Sequence, residues 1–129
     1  MNGYLVDTNA ALISLMDPDR LPAGVRRAML ADPNVLSVIC YWEVLLKTMK
    51  GNLRVGDPRM WWHDTLDRLA ATPLPLRPDH VGELYHLPPI HKDPFDRILI
   101  AQASIEQLAL VTLDDKIPQY ATKRLRVIS

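Results

Sequence analysis

Two acidic residues directly follow stretches of apolar sequence. Asp7 comes after the triplet Tyr4-Leu5-Val6, and Asp114 comes after the run from residue 108 to residue 113. Apolar stretches of this length predict buried strands. Because ligands of open parallel sheets bind at the carboxyl ends of the strands, Asp7 and Asp114 are candidates for one shared site.

Two further acids lie in the first turns of predicted helices. Glu43 is near the start of a helix expected from Ile39 to Lys50, and Asp96 follows the proline that opens a later helix. Mg²⁺ and Mn²⁺ take oxygen ligands, so carboxylates gathered from several elements would suit such an ion. Without a cation the gathered carboxylates would repel each other and take up protons. A site of this kind can hold a phosphodiester and activate water to hydrolyse it.

Three of the four acids also have a simpler interpretation. Asp96 alone is typical of the acids found at helix starts, and Asp114, next to Asp115, is typical of a turn. Glu43 alone could be a solvated residue paired with Lys47 one turn later. The spacing of the acids does not by itself favour a metal site over these interpretations.

Length and composition indicate an ordinary globular protein, with one domain expected over residues 1–129. Hydrophobic residues make up 48% of the chain and charged residues 23%. The 15 Lys and Arg residues balance the 15 Asp and Glu residues, so attraction to a polyanion requires a local patch. The sequence shows no signal peptide and no apolar run long enough to span a membrane, so we expect a cytoplasmic protein.

Apolar stretches of strand length alternate with longer segments of helical period. This pattern predicts the α/β class, with a parallel sheet covered by helices on both faces. The strands are expected at residues 4–6, 35–38, 72–76 and 109–113. Prolines limit the third strand to an edge or end of the sheet. Thr8 or Asn9 is expected to cap the first helix.

Residues beside the acids have several candidate roles. Asp93 precedes Pro94 and is expected to cap a helix rather than to contact a metal. Arg97 could hold a phosphate or pair with a carboxylate at the rim of the site. Asp115 is expected to be a solvated turn residue.

Cationic and aromatic side chains could contact a nucleic-acid substrate. Lys47, Lys50 and Arg54 are candidate RNA contacts, although cations near the end of a helix are also favourable without any ligand. Trp61 and Trp62 are expected to pack or to form an interaction face rather than to stack on bases.

The histidines and the cysteine are weaker candidates for a functional site than the acids. The single Cys40 is expected to be a buried thiol. Zinc prefers tetrahedral nitrogen and sulfur ligands, and the sequence does not assemble His91 with His63, His80 and His86 into such a set.

Four motifs, in this order along the chain, resemble those of the PIN-domain nucleases, most closely the VapC-type toxins of bacterial toxin–antitoxin pairs. The motifs are Leu5-Val6-Asp7-Thr8-Asn9, Trp42-Glu43-Val44 with Lys47 and Gly51, residues 91–97 leading into Ile100-Ala101-Gln102-Ala103, and Val111-Thr112-Leu113-Asp114. The element Asp93-Pro94-Phe95-Asp96-Arg97 is the most specific. Cys40-Tyr41 departs from the pattern, because relatives often carry small hydroxyl residues there.

The resemblance implies a three-layer α/β/α sandwich with a central parallel sheet. It implies a Mg²⁺- or Mn²⁺-dependent endoribonuclease that acts as a toxin, is blocked by a cognate antitoxin and is commonly a homodimer. The acids that match the family's catalytic metal ligands are Asp7, Glu43, Asp96 and Asp114, and the matching supporting positions are Asn9 and Thr112.

Two other functions remain as alternatives. A non-catalytic PIN-fold binding module could act through a protein partner, although the intact set of acids argues against it. An aspartyl-phosphate receiver also places acids at strand ends, but here Asp7 has no second acid beside it. Metal-dependent hydrolysis of RNA is the primary hypothesis.

Overall fold

The computed structural model describes residues 3–31, 33–122 and 125–129, and a parallel sheet lies at its centre. The strands are β1 (Tyr4–Val6), β2 (Asn34–Ser37), β3 (Ala71–Leu74), β4 (Ala109–Val111) and β5 (Val127–Ile128). Their order across the sheet is β3-β2-β1-β4-β5, and all neighbours are parallel. The predicted α/β class is confirmed.

The direction of chain connection reverses between β1 and β4. The chain leaves β1 toward β2 on one side and leaves β4 toward β5 on the other. Two adjacent parallel strands whose connections diverge leave a crevice outside their carboxyl ends, which is where ligands bind in such sheets. The residues just after β1 and β4 therefore face the expected binding position.

Helices flank the sheet as a three-layer α/β/α sandwich. In the described ranges they are α1 (Thr8–Met16), α2 (Ala23–Ala31), α3 (Val38–Met49), α4 (Pro58–Arg68), α5 (Pro78–Glu83) and α6 (Pro94–Glu106). Short 3₁₀ turns cover residues 18–20, 84–86 and 117–120. Within these ranges, no helix combines the length and apolar character needed to cross a membrane.

Helix α1 begins differently from the prediction. Its N-cap is Asp7, whose Oδ1 accepts a hydrogen bond from the Ala10 backbone N–H at 2.8 Å. The expectation that Thr8 or Asn9 caps the helix is therefore wrong, because both are already helical. Asp7 thus follows the end of β1 directly and caps the start of α1.

Two of the predicted strands, β3 and β4, are shorter than expected, and one strand was missed. β2 and β3 begin one residue earlier than expected, and β4 ends at Val111 rather than Leu113. The two residues of β5 are too few to show a periodic pattern, so nothing in the sequence predicted this strand. β3 lies at the edge of the sheet, as its prolines indicated.

Apolar packing holds the carboxyl ends of the strands in place. Leu5, Leu36 and Leu110 from the central strands are fully buried, as are Leu99 and Ile100 of α6. Each such side chain contributes about 1.5–3 kcal/mol by its removal from water. Acids that follow these strands are therefore positioned by the core.

The tryptophans of α4 belong to this core. Trp61 and Trp62 are almost fully buried, and Trp62 stacks on Tyr41 of α3 with ring centroids 5.0 Å apart. The expected packing role is confirmed, whereas the neighbouring Met60 is exposed. Cys40 is fully buried, also as expected.

Candidate metal centre

Asp7 and Thr112 join the ends of β1 and β4. Asp7 is only 3% exposed, and its Oδ2 accepts a hydrogen bond from the Thr112 hydroxyl. The Thr112 hydroxyl oxygen in turn accepts a hydrogen bond from the Asp114 backbone N–H at 3.0 Å. These contacts bring the start of the segment that carries Asp114 to the crevice beside Asp7.

Glu43 approaches Asp7 from α3. It is 5% exposed and accepts a hydrogen bond from the hydroxyl of Thr8, the residue after Asp7, at 2.6 Å. It also pairs with the Lys47 ammonium at 2.8 Å. The expected pairing of Glu43 with Lys47 is thus confirmed, but Glu43 is buried rather than solvated. Because α3 starts at Val38, Glu43 lies in the second turn and not in the first.

Asp96 lies in the first turn of α6, and Asp93 caps that helix. Asp93 Oδ1 accepts hydrogen bonds from the backbone N–H groups of Phe95 at 2.8 Å and Asp96 at 3.4 Å. The expected cap is confirmed, with Pro94 at the favoured first position. With its backbone held in this way, Asp96 directs its carboxylate toward the other acids.

His91 lies between Asp96 and Asp114, and the sequence did not assign it to the site. Its Nε2 is 2.7 Å from Asp114 Oδ2 and 3.1 Å from Asp96 Oδ2. The imidazole therefore joins two acids that lie on different segments. His91 belongs to the same sequence motif as Asp96, and this was the available sign of its role. The spacing within the motif does not show that the turn at Asp93 places the His91 imidazole over the start of α6.

Arg97 orders the segment that carries His91. Its guanidinium donates hydrogen bonds to the carbonyl oxygens of Pro88 at 3.0 Å and His91 at 3.3 Å, and lies 3.5 Å from Tyr120 Oη. Within the described ranges no carboxylate pairs with Arg97, and the expected phosphate contact stays a prediction. Arg97 is a structural residue of the loop before α6.

Asp96 is the acid whose ionisation is most strongly perturbed. Burial, together with the nearby carboxylates of Asp93, Glu43 and Asp7, raises the pKa of Asp96 to about 7, against the opposing effect of His91. These carboxylates are therefore close enough to oppose one another's charge. A divalent cation would remove that conflict.

Asp7 and Asp114 are shifted in opposite directions. Burial raises the pKa of Asp7, although the hydrogen bond from Thr112 opposes the change. Partial burial also raises the pKa of Asp114, but the hydrogen bonds from His91 and the Lys116 backbone outweigh it, so the pKa lies below its ordinary value. Asp114 is therefore better prepared than Asp7 to carry negative charge before a cation arrives.

The donor atoms suit a hard divalent cation. Carboxylate oxygens reach the crevice from the end of β1, from α3, from α6 and from the segment after β4. Oxygen ligands on several rigid elements are those that Mg²⁺ and Mn²⁺ prefer. The residues that fit this role are Asp7, Glu43, Asp96 and Asp114.

Within the described ranges, no group of closely spaced potential metal ligands contains more than one histidine. His63 and His86 are exposed, whereas His80 is fully buried with its Nε2 2.9 Å from Glu106. Arg77 also pairs with Glu106, so a positive charge already offsets that acid. Burial raises the pKa of the only thiol to about 12, which disfavours the thiolate that zinc requires.

A basic groove of about 400 Å³ adjoins Glu43 between α3 and the start of α6. Lys47, Lys50 and Lys92 line it. Lys50 and Lys92 are exposed, and the sequence had not singled out Lys92. Arg54 is exposed as well but does not line this groove. Two of the three cations grouped from the sequence therefore lie beside the acids.

Two residues named from the sequence stay at the surface. Asn9 is exposed, and its side chain forms no hydrogen bond within the described ranges, so its supporting role stays a prediction. Asp115 is exposed in the turn after Asp114, as expected.

Several solved structures with the same fold are of toxin–antitoxin complexes. The chain is similar to VapBC2 of Rickettsia felis bound to a promoter DNA fragment, with 13% identity, a TM-score of 0.69 and 96% of each chain covered. It is similar to a toxin–antitoxin complex of Klebsiella pneumoniae, with 23% identity, a TM-score of 0.61 and 95% of each chain covered. It is also similar to VapBC-5 of Mycobacterium tuberculosis, with 19% identity, a TM-score of 0.62 and 99% and 98% of the two chains covered.

Sequence comparison gives one result at the level of the family. No curated protein matches the chain. The PIN domain family, however, matches residues 4–123, which is nearly the whole chain. The chain therefore belongs to the PIN-domain family, and it resembles the VapC-type toxins in its motifs and its fold.

Proposed function

We propose that this chain is a metal-dependent endoribonuclease and the toxin of a toxin–antitoxin pair. The observation that carries the proposal is the gathering of acids from four separate segments at one crevice of a PIN domain. Asp7 and Glu43 are almost fully buried there. Lys47 pairs with Glu43, whereas no cationic side chain in the described ranges pairs with Asp7. A buried carboxylate is costly unless a partner offsets its desolvation, and a divalent cation is such a partner.

The residues that would hold one or two Mg²⁺ or Mn²⁺ ions are the gathered acids, Asp7, Glu43, Asp96 and Asp114. When bound, the cation lowers the pKa of water and offsets the charge of the phosphate. Hydrogen bonds from the hydroxyls of Thr112 and Thr8 keep the carboxylates of Asp7 and Glu43 oriented. Orientation before the substrate arrives lowers the entropic part of the barrier.

The RNA backbone would lie along the basic groove beside Glu43. Lys50 and Lys92 offer exposed ammonium groups to phosphates there. Partial burial lowers the pKa of Lys47, but the Glu43 carboxylate outweighs this effect, so the pKa lies above its ordinary value and the charge is kept. Since the chain has a net charge of zero, this local cluster supplies the attraction to RNA.

An antitoxin and a second copy of the chain are the proposed protein partners. Val38, Trp42 and Met49 are exposed, and their spacing places them on one face of α3. Exposed apolar surface of this kind is typical of protein interfaces. We assign this face to an antitoxin or homodimer contact in the cytoplasm, with the chain acting as one domain over residues 1–129.

Cleavage of RNA by the purified protein, freed of any antitoxin, tests the enzymatic proposal. The wild type should cut a mixed RNA pool in Mg²⁺ or Mn²⁺, and Asp7→Asn should lower the rate by at least about 100-fold. Asparagine keeps an oxygen for the N-cap of α1, so this change should not disturb the helix. The matched control is Asp115→Asn, at an exposed acid next to Asp114, which should cut like the wild type. Equal cutting by the wild type and Asp7→Asn would refute the proposal.

Growth of a bacterial host tests the toxin role. Expression of the wild type alone should arrest growth, and Asp7→Asn and Asp96→Asn should each relieve the arrest. A folded wild type that neither cuts RNA nor arrests growth, yet binds a partner protein, would instead favour the non-catalytic binding module.

A further inference from the structure

His91 contacts two acids of the candidate metal centre but has no role in the proposed function. Its Nε2 is 2.7 Å from Asp114 Oδ2 and 3.1 Å from Asp96 Oδ2. No other side chain in the described ranges forms a hydrogen bond or ion pair with the Asp96 carboxylate. The imidazole is therefore the only direct link between these two acids in that part of the chain.

Contacts behind the ring determine which nitrogen carries the proton. The Asp93 backbone N–H donates a hydrogen bond to His91 Nδ1 at 3.1 Å, so Nδ1 is an acceptor and the proton of the neutral ring lies on Nε2. The His91 backbone N–H donates to Tyr120 Oη at 2.6 Å, and Arg97 holds the His91 carbonyl oxygen at 3.3 Å. The ring is thus fixed with an N–H directed at Asp96 and Asp114.

The same contacts argue against His91 as a direct metal ligand. Its Nε2 and the oxygens of Asp96 and Asp114 do lie within 4.8 Å of one another, which is close enough to surround an ion. However, a histidine that coordinates through one nitrogen almost always donates the N–H of the other. Here the other nitrogen accepts a hydrogen bond from Asp93, and coordination through Nε2 would break that bond.

We propose that His91 is a positioning residue whose Nε2–H holds Asp96 and Asp114 side by side, so that both carboxylates face the same cation. The inference rests on the proposed metal site. Asp114 lies beyond the end of β4, with 26% of its side chain exposed, and its Oδ1 accepts a hydrogen bond from the Lys116 backbone N–H at 2.8 Å. That contact holds Asp114 only to its own segment, whereas His91 holds it relative to Asp96. Residues that orient metal ligands in this way typically contribute about 10–100-fold to metal affinity.

Mn²⁺ binding to the full chain, freed of antitoxin and without RNA, tests the role of His91. The free ion is followed by its electron paramagnetic resonance signal. His91→Ala should weaken the affinity by about 10–100-fold. His91→Gln should restore most of it, because the glutamine amide nitrogen reaches the place of Nε2. His91→Asn should not, because its amide nitrogen falls near the place of Nδ1.

Controls separate the role of His91 from folding and from the proposed function. His63→Gln, at an exposed histidine, should bind like the wild type. Circular dichroism establishes that each variant is folded, and if His91→Ala does not fold, the Gln and Asn variants carry the comparison. Mn²⁺ binding without any RNA cleavage would overturn the proposed nuclease function and leave the positioning role of His91 in place.

Three results would overturn the inference. Equal affinity of the wild type and the His91 variants, with weaker binding by Asp7→Asn, would remove the role of His91 and keep the metal site. Strong nitrogen coupling in the pulsed spectrum of bound Mn²⁺, lost in His91→Gln, would identify a direct ligand instead of a donor. Absence of binding by every form would remove both the metal site and the role of His91.

Discussion

Threonine hydroxyls hold the two most buried acids of the centre. Thr112 donates a hydrogen bond to Asp7, and Thr8 donates one to Glu43. A hydroxyl stabilises a carboxylate while leaving lone pairs on its oxygens, whereas an arginine would place a permanent charge where the cation is expected. These neutral donors orient the acids and still allow them to bind an ion.

Loss of the Thr112 hydroxyl should destabilise the folded protein. Thr112→Val removes the donor to Asp7 and the acceptor of the Asp114 backbone N–H, so the free energy of unfolding should fall by about 1–3 kcal/mol. Thr65→Val is the matched control, because Thr65 is equally buried and its hydroxyl has no hydrogen-bond partner in the described part of the chain. That change should be neutral or slightly stabilising. Urea denaturation measures both, and equal losses would contradict the role given to Thr112.

Helix starts place two of the acids. Asp7 is itself the N-cap of α1, and Asp93-Pro94 starts α6 so that Asp96 lies in its first turn. The partial positive charge of a helix N-terminus favours acids at both positions. α3 is capped instead by Ser37, and Glu43 lies deeper in that helix, where burial and Thr8 position it.

Asp93 allows the capping role to be separated from metal contact. Asp93→Ala removes the cap and should lower the free energy of unfolding by about 0.5–2 kcal/mol. Asp93→Asn retains a capping oxygen, so both its stability and its Mn²⁺ affinity should remain close to those of the wild type. Thermal denaturation and Mn²⁺ titration provide the two measurements. A stable Asp93→Asn protein with much weaker Mn²⁺ binding would show that Asp93 contacts the cation.

When no cation is bound, the burial of these acids lowers the stability of the folded protein. Burial raises the pKa of both Asp7 and Asp96, so their charged forms are disfavoured in the folded state. The core around Leu5, Leu99 and Leu110 holds the elements that carry them. Global stability of the metal-free protein should therefore depend on pH through these acids.

The direction of that dependence follows from Asp96. Its pKa is raised from 3.8 to about 7 on folding, so the stability that its proton contributes is complete below about 3.8 and is lost as the pH rises through about 7. Asp7 acts in the same direction. In a chelating buffer, the free energy of unfolding should be lower at about pH 8 than at about pH 5.5.

Urea denaturation at the two pH values checks this prediction. Asp96→Asn should reduce the difference, since its amide does not titrate. Adding Mn²⁺ at the higher pH should recover stability by binding to the folded state. A metal-free wild type that is equally stable at both pH values would contradict the raised pKa of Asp96.

The sequence by itself determined the α/β class, the order of the elements, the Asp93 cap and the acids of the motifs. These features depend on local signals: hydrophobic periodicity, prolines at helix starts and the residues that end each strand. β5 was missed because two residues are too short for such a signal. The burial of Glu43 and the structural role of Arg97 were missed because both depend on neighbours distant in the sequence.

Only the tertiary structure decided which donors meet the acids. Thr112 and Asp7 are 105 residues apart, and His91 and Asp114 are 23 apart. The first contact forms because β1 and β4 are neighbours in the sheet, and the second because the turn capped by Asp93 places the imidazole over the start of α6. The residue types were present in the sequence, but packing of separate elements determined that these side chains share one crevice.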